Sequence, residues 1–129
     1  MDLSFQKQEK LKSKKLIEQL FKEGKSITKP PFRLVYLQIN HRGNKPLQVG
    51  FSVPKRNFKL AVERNLLKRR MREAYRLNKE SIYKEIDNNY ILMFVYIDKE
   101  IRTSDIIAQK TVQILQKFIK AASSNGIID

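Results

Sequence analysis

The chain has 129 residues and carries 27 Lys and Arg against 13 Asp and Glu, which gives a formal net charge of +14. This length fits a single domain, 1–129, with one core, and a hydrophobic content of 41% excludes disorder throughout the chain. The lack of cysteine excludes disulfides and thiolate metal sites, and no apolar run is long enough to span a bilayer. The excess of cations favours a polyanionic partner, nucleic acid first, and without a secretory signal at the N-terminus we expect a cytoplasmic protein.

The first elements are predicted to be a flexible tail and a short helix. Residues 1–12 are polar and rich in Lys, which is typical of a tail. Ser13 can cap a helix that runs to about Glu23, because Gly24 follows as a stop. An apolar stripe indicates that this helix packs on a core. The stripe consists of Leu16, Ile17, Leu20 and Phe21.

Two strands are predicted next. Residues 25–31 are interpreted as a linker that ends in two prolines, which exclude helix there. Residues 32–40 then alternate as a strand, 41–46 form a polar turn, and 47–53 form the return strand.

The first of these strands is apolar on both faces at its centre. One face can form the core, and the other can form the floor of a partly exposed groove. Exposed aromatic rings beside cations suit RNA bases, because stacking is worth about 1–3 kcal/mol per base and tolerates any base. Phe32 and Tyr36 share one face, and for both rings simple burial is an equal alternative.

Half of the net charge lies between Lys55 and Arg76, in a stretch with nine Lys or Arg and two acids. From Ala61 onward this stretch lacks Pro and Gly and consists mostly of good helix formers, so it predicts a helix. At about 100° per residue, cations collect on one arc and apolar residues on the opposite arc. Arg70 falls on the apolar side, and we expect it to extend towards Glu73 or Glu63. The cationic arc holds Arg64, Asn65, Lys68, Arg69, Arg72 and Arg76, and the apolar arc holds Leu66, Leu67, Met71, Ala74 and Leu77.

The cationic arc has two interpretations, a solvated helix face and a binding surface for a polyanion. Solvated faces usually mix charge signs at i,i+4 spacing. Here Arg64, Lys68 and Arg72 repeat the same sign at that spacing. Unless an external anion relieves it, this repetition destabilises the helix by about a few tenths of a kcal/mol per pair. We therefore favour the binding interpretation.

The remainder of the chain predicts a helix end, a buried strand and a last helix. Residues 77–89 complete the basic helix and turn. Residues 90–97 are consecutively apolar, too short for a membrane span and typical of a central strand buried on both faces. Thr103 or Ser104 can cap the last helix, and 123–129 is predicted to be a flexible tail with Gly126 as a stop.

The sequence offers no residue arrangement typical of a protein nuclease. A two-metal site needs several converging carboxylates, but the acids of this chain are scattered. There is no Ser-His-Asp or Cys-His set, no zinc-ligand spacing and no phosphate-binding glycine loop, and His41, the single histidine, falls in the predicted turn. We expect no catalytic residue, no metal site and no small-molecule substrate, so the protein alone should not cleave RNA.

The region around the basic helix resembles the bacterial ribonuclease P protein component family. That family has a strand ending in Ser-Val-x-Lys-Lys, followed by an Ala-Val-x-Arg-Asn-Arg-x-x-Lys-Arg-x-x-Arg-Glu helix. Here the strand, 50–56, reads Gly-Phe-Ser-Val-Pro-Lys-Arg. The second Arg of the triplet is replaced by Leu66, and the linker 57–60 lacks an expected glycine and is one residue longer. The helix matches at Ala61, Val62, Arg64, Asn65, Lys68, Arg69, Arg72 and Glu73.

The resemblance implies a fold and a function. The fold is α+β, an α-β-β-α-β-α two-layer sandwich of the ribosomal-protein-S5-domain-2-like type. Its β-α-β crossover is left-handed, although such units are right-handed in about 98% of cases. The function is that of the protein subunit of ribonuclease P, which binds the catalytic RNA and the 5′ leader of precursor tRNA. The RNA subunit would carry the phosphodiester chemistry and most of the Mg²⁺, and no membrane partner is implied.

The resemblance also implies which residues contact RNA. The basic helix would contribute its cationic arc, Arg64, Asn65, Lys68, Arg69, Arg72 and Arg76. The end of the preceding strand and the loop after it would add Ser52, Lys55, Arg56 and Lys59. The groove for the leader would be lined by Lys12, Ile17, Phe21, Phe32 and Tyr36, with Ile17 standing where the family has an aromatic residue.

Two other functions stay open at this point. A ribosomal-protein-like structural RNA binder would use the basic helix only to hold RNA, and a pull-down would then recover ribosomal RNA rather than ribonuclease P RNA. A protein of the membrane surface would bind anionic vesicles. The apolar side of the basic helix has no Trp or Phe, which argues against the membrane function.

Overall fold

The computed structural model describes residues 9–39 and 47–127, with side chains up to residue 123. Four strands form one sheet in the order β1-β2-β4-β3. The predicted mixed α+β class with three helices is confirmed, and the sheet has one strand more than predicted. The elements are α1 (Lys14–Glu23), β1 (Lys25–Lys29), β2 (Phe32–Gln38), β3 (Leu47–Ser52), α2 (Ala61–Tyr83), β4 (Tyr90–Tyr96) and α3 (Ser104–Ile127).

The additional strand is β1, which lies where the sequence predicted a linker. It pairs antiparallel with β2, so that Lys25 lies opposite Tyr36 and Lys29 opposite Phe32. The two prolines, joined by a cis peptide bond, form the connection between these strands. The linker prediction was wrong because β1 is a short edge strand with one apolar residue, Ile27. Polar, Lys-bearing edge strands lack the alternation by which strands are found.

The predicted ends of α1 are confirmed. The Leu16 N–H donates to Ser13 Oγ at 3.2 Å, and the Gly24 N–H donates to Leu20 O at 2.8 Å. At α3, Thr103 is the capping residue, since its Oγ1 accepts from the Ile106 N–H at 3.3 Å. These hydrogen bonds satisfy backbone groups that a helix end leaves without partners.

Two predicted tails are shorter than expected. Helix α3 continues to Ile127, past the boundary placed at 123, because no proline interrupts it and Gly126 is tolerated in its last turn. At the other end, residues 9–12 are held against β3 by backbone pairing. Residues 1–8, the predicted turn at 41–46 and the last two residues lie outside the described part of the chain.

Helix α2 forms the crossover between two parallel strands. Strands β3 and β4 pair in parallel, and α2 connects them. Strand β4 lies in the centre of the sheet between β2 and β3, and Ile91 and Leu92 are both fully buried on its opposite faces. The prediction of a central strand covered on both sides is therefore confirmed.

The two faces of the sheet pack against different helices. Helices α2 and α3 cover one face and form the main core, to which β2 and β4 contribute Phe32, Leu34, Tyr36, Tyr90, Leu92, Phe94 and Tyr96. Helix α1 lies on the other face over a smaller core of Leu11, Leu20, Val35, Ile91 and Met93. Strand alternation explains this division, because successive side chains point to opposite faces. Within the described ranges, no helix is long and apolar enough to cross a membrane.

Candidate nucleic-acid interface

The basic helix α2 packs its inner side on the main core. Leu67, Met71, Ala74 and Tyr75 are buried at i, i+4, i+7 and i+8, which is one continuous stripe on a helix. The stripe is rotated relative to the predicted apolar arc, so Leu66 lies at its rim and Leu77 is 56% exposed. The prediction that these two leucines pack on the core was wrong because the buried stripe is centred on Leu67 and Met71, roughly 80–140° around the helix from them.

The outer side of α2 presents a row of cations. Arg69 and Arg72 are exposed and Lys68 is half-buried. Among the described residues, no acidic side chain lies within ion-pair distance of these three. Together with Asn65, they line a shallow depression of about 490 Å³. The structure thus brings four of the predicted helix residues to one surface.

The other two predicted helix cations have partners within the chain. Arg64 Nη1 donates to Phe58 O at 2.8 Å and to Lys59 O at 2.9 Å. Arg76 forms an ion pair with Glu73, in which Nε donates to Oε2 at 3.1 Å. The hydrogen bond from Arg76 lowers the pKa of the Glu73 carboxyl. Both arginines stay at the surface, but part of each guanidinium is already used.

The loop before α2 is held close to the start of the helix. Phe58 is buried and packs against Tyr96, with ring centroids 5.7 Å apart. Arg64 binds two carbonyl groups of the loop, as described above. The predicted loop cations are therefore exposed on a segment that is anchored from both sides. They are Lys55, Arg56 and Lys59, and the predicted Ser52 is half-buried at the end of β3.

Arg70 has a different partner from the one expected. Its Nη1 donates to Arg102 O at 2.6 Å, in the segment that leads into α3. The expected contact with Glu73 or Glu63 was wrong because the sequence does not show that this carbonyl lies next to α2. Arg70 therefore ties two elements together on the side of α2 that faces α3.

The two aromatic residues of β2 that were predicted for the leader groove lie in the main core. Phe32 is 0% and Tyr36 is 6% exposed, and Phe32 packs edge-on against Phe94 with centroids 6.0 Å apart. The groove assignment was wrong for both rings, and simple burial is their role. Even-numbered positions of β2 point towards α2 and α3, so neither ring offers a surface on which a base could stack.

The remaining groove residues lie on or before α1. Phe21 is 53% exposed, whereas Ile17, one turn earlier, is half-buried against the smaller core. Lys12 is exposed just before the helix. The structure brings Lys12 together with Lys10, Gly50 and Arg72 around a depression of about 360 Å³.

The sequence does not reveal that Lys10 and Gly50 line this depression. Lys10 was assigned to a flexible tail, and only the pairing of residue 10 with Val49 places it beside β3. An ideal Cβ on Gly50 would lie 2.8 Å from Met93 Cε, which shows how closely Met93 covers this glycine. The pattern of small and polar side chains at Gln48, Gly50 and Ser52 was the signal available for this strip of β3, which is half-buried in the structure.

The described residues do not fit a metal ion held by protein ligands alone. Within residues 9–39 and 47–127, no group of three His, Cys, Asp or Glu side chains is placed to hold one. The carboxylates nearest the cationic surface are Glu63 and Glu73, and Glu73 is paired with Arg76.

The chain is a small α+β domain, and its crossover helix α2 presents a row of cations. A basic surface of this kind is typical of the class of proteins that bind polyanions. The family model described as Ribonuclease P matches residues 5–122. A ribonuclease P protein component from Porphyromonas gingivalis is 35% identical over 113 residues, 82% of each chain. Another, from Macrococcus caseolyticus, is 31% identical over 111 residues, 86% of this chain and 90% of that protein.

The chain therefore belongs to the ribonuclease P protein family, which supplies the protein part of a ribonucleoprotein of tRNA processing. Solved structures share its fold. The RNase P protein of Staphylococcus aureus has a TM-score of 0.68 at 21% identity, covering 88% of this chain and 97% of its own. The RNase P protein of Thermotoga maritima has a TM-score of 0.67 at 24% identity, covering 84% and 96%. The fold that the resemblance implied is confirmed.

Proposed function

We propose that the chain binds the RNA subunit of ribonuclease P and the 5′ leader of precursor tRNA, and so assists leader removal in the cytoplasm. The observation that carries the proposal is the row of Lys68, Arg69 and Arg72 on the outer side of α2, without acidic partners among the described residues. Neutralising phosphates with such cations releases condensed counterions, which is the main sequence-independent contribution to nucleic-acid binding.

The loop before α2 extends this surface. Lys55, Arg56 and Lys59 are exposed, and Phe58 and Arg64 fix the backbone between them and the helix. A loop that is already ordered loses less conformational entropy when it binds. We therefore assign the loop and the outer side of α2 to one continuous contact with the RNA subunit.

The leader contact is assigned to the α1 side of the sheet. Phe21 is 53% exposed, and its neighbours Lys22 and Lys25 are also exposed. An exposed ring among cations can stack on a base of any identity, which is worth about 1–3 kcal/mol. Ile17 and Lys12 lie earlier on the same side and would bound the groove.

The protein contributes binding and positioning, and the RNA contributes the chemistry. The described residues offer no ligand set for Mg²⁺, so we assign the magnesium ions of the holoenzyme mainly to the RNA. Lysine and arginine side chains that neutralise phosphates lower the repulsion between leader and RNA subunit. Such neutralisation would let the complex work at a lower magnesium concentration.

Reconstitution tests the proposal. Purified protein, a ribonuclease P RNA and precursor tRNA are combined at low magnesium, and leader release is followed on a gel. We expect efficient cleavage only when protein and RNA are both present. A variant with Lys68→Ala, Arg69→Ala and Arg72→Ala should fold but fail to restore cleavage, whereas Lys117→Ala on α3 should behave as the wild type. Sustained cleavage by RNA-free protein, or full activity of the triple variant, would overturn the proposal.

A further inference from the structure

Residues 9–12 form a segment that is fixed along the outer edge of β3. The Leu11 N–H donates to Val49 O at 3.0 Å, and Lys10 and Val49 form a parallel bridge. The Leu11 side chain is buried in the smaller core under α1. The segment therefore covers the edge of the sheet that β3 would otherwise leave open.

A buried ion pair ties the same segment to α2. Lys79 Nζ lies 2.8 and 2.9 Å from the two carboxylate oxygens of Glu9, and the Tyr83 hydroxyl donates to Glu9 Oε2 at 2.6 Å. The side chains of Lys79 and Glu9 are 1% and 0% exposed. Burial is the main reason why the pKa of Tyr83 is raised, so its hydroxyl stays protonated and remains a donor.

A buried ion pair between residues so far apart in sequence carries a cost that an apolar contact would avoid. Removing two charges from water is expensive, and apolar replacements of buried pairs are often equally stable or more stable. A buried pair does favour one position of the segment over others, because a shifted segment would leave one charge buried without its partner. The pair therefore specifies the register of residues 9–12 along β3.

The residues next to Glu9 in this register face the cationic surface. Lys10 and Lys12 line the same depression as Arg72 of α2, and Gly50 and Phe51 of β3 also line it. Gly50 contributes no side chain, and the Leu11 Cβ lies 3.7 Å from the position that a Cβ on Gly50 would take. The depression thus connects the outer side of α2 with the start of α1.

We propose that Glu9 and Lys79 are positioning residues whose buried ion pair holds Lys10 and Lys12 beside Arg72, so that the three cations form a subsite for a backbone phosphate of bound RNA. The inference rests on the RNA binding proposed above and adds to it a site built from the N-terminal segment. It goes beyond a structural role of the ion pair, which would support the fold without any effect on how RNA is held.

Hydrogen exchange tests the positioning step without RNA. In Lys79→Met the Glu9 carboxylate loses its cation, so the segment should leave its position while α2 keeps its buried apolar stripe. We expect the Leu11 amide to exchange about tenfold faster or more, with unchanged exchange in β4. Glu9→Gln removes the other charge of the pair, and its long side chain lets Lys79 extend towards water. This variant should give the same result, and it replaces Lys79→Met if that variant fails to fold. Lys117→Met on α3, where Lys117 Nζ donates to Thr28 O, is the matched control.

A mutant cycle then tests the subsite. Two titrations are measured against salt concentration: ribonuclease P RNA binding to the protein, and precursor tRNA binding to the holoenzyme. Each is done for the wild type, Lys79→Met, the pair Lys10→Ala and Lys12→Ala, and the combined variant. If the ion pair acts through the two lysines, each change should flatten the salt slope by about one unit, the value of one phosphate contact, in the titration whose RNA occupies the subsite. The combined variant should lose no more than the lysine pair alone.

Three outcomes are decisive. Additive losses in the cycle would make Lys79 a structural residue only and overturn the inference. Unchanged exchange of the Leu11 amide in both Lys79→Met and Glu9→Gln would overturn it as well. Failure of the wild type to bind ribonuclease P RNA in preference to an unrelated RNA of equal length would instead overturn the proposed function, and the exchange result would still report on the ion pair.

Discussion

The two faces of the sheet differ in how completely they are covered. The face under α2 and α3 is closed, and five pairs of its aromatic rings pack edge-on at centroid distances between 5.2 and 6.4 Å. The face under α1 has a smaller core, and Phe21 at its border is about half exposed. The position of each aromatic ring on its strand or helix therefore decides whether it is buried in the core or exposed for binding. Amino-acid composition alone does not distinguish the two.

The largest effect is expected from Phe32→Ala, on the closed face. Loss of this fully buried ring should cost about 3–5 kcal/mol of folding free energy, because the cavity cannot be filled by its neighbours. Urea unfolding measures the loss. Binding of every RNA should fall together, as expected for a residue that supports the fold. A stable variant that loses only leader binding would contradict the burial of Phe32 and support its assignment to the leader groove.

Phe21→Ala is the counterpart on the open face. An exposed ring contributes little to folding, so the unfolding free energy should change by less than about 1 kcal/mol. Binding of precursor tRNA by the holoenzyme should weaken by about 1–3 kcal/mol, the value of one stacked base. Binding of mature tRNA, which has no leader, is the control and should not change. Equal losses for both tRNAs, with a large fall in melting temperature, would place Phe21 in the core instead.

Elements with a clear pattern could be predicted from the sequence. The helix from Ser13 to Gly24 has a capping residue and a stop, and the central strand has an unbroken apolar run, so both were found at almost their true limits. The basic helix was found for the same reason, since strong helix formers extend without Pro or Gly. Local chemistry is sufficient for elements of this kind.

What could not be predicted depends on contacts between distant segments. Glu9 lies in a predicted tail and Lys79 near the predicted end of the basic helix, and nothing local in the sequence indicates that they meet in the interior. The two faces of β2 are equally apolar, so the pattern could not show that Phe32 faces the helices and Val35 faces α1. Arg70 likewise has its partner in the segment before α3. Predicting any of these contacts requires knowledge of the tertiary structure.

Lys68→Ala tests whether the outer side of α2 binds RNA, whereas the inner side of the same helix packs on the main core. Loss of one cation from the outer side should leave the unfolding free energy almost unchanged. Binding to ribonuclease P RNA should weaken, and the slope of log K against log salt should become shallower by about one unit. If six cations contact phosphate, the slope of the wild type should be about −5.

The control for Lys68→Ala is Lys117→Ala, which removes an equal charge from α3. Its salt slope should equal that of the wild type. Equal slopes for both variants would show that binding follows net charge rather than the cationic side of α2. A wild-type slope shallower than about −2 would mean that most of this surface stays solvated.

The smallest effect is expected from Gly50→Ala, on the half-buried strip of β3. A Cβ here would lie 2.8 Å from Met93 Cε and 3.1 Å from Met93 Sδ, so the end of the thioether has to move. Met side chains adapt readily, and alanine also lowers the entropy of the unfolded chain. The two effects oppose each other, and the unfolding free energy should change by less than about 1 kcal/mol. The methyl resonance of Met93 should shift, which NMR can detect.

Gly24→Ala is the matched control, since it adds the same methyl group at a position closed by backbone. A Cβ on Gly24 would collide with Leu20 O and would lie 2.9 Å from Tyr36 O. Neither carbonyl can move without shifting the end of α1 or the pairing of β2, so destabilisation of about 1–3 kcal/mol is expected. Urea unfolding of the two variants side by side measures the difference. Equal destabilisation would show that the surroundings of Gly50 are as rigid as those of Gly24, and that the end of the Met93 side chain cannot move aside.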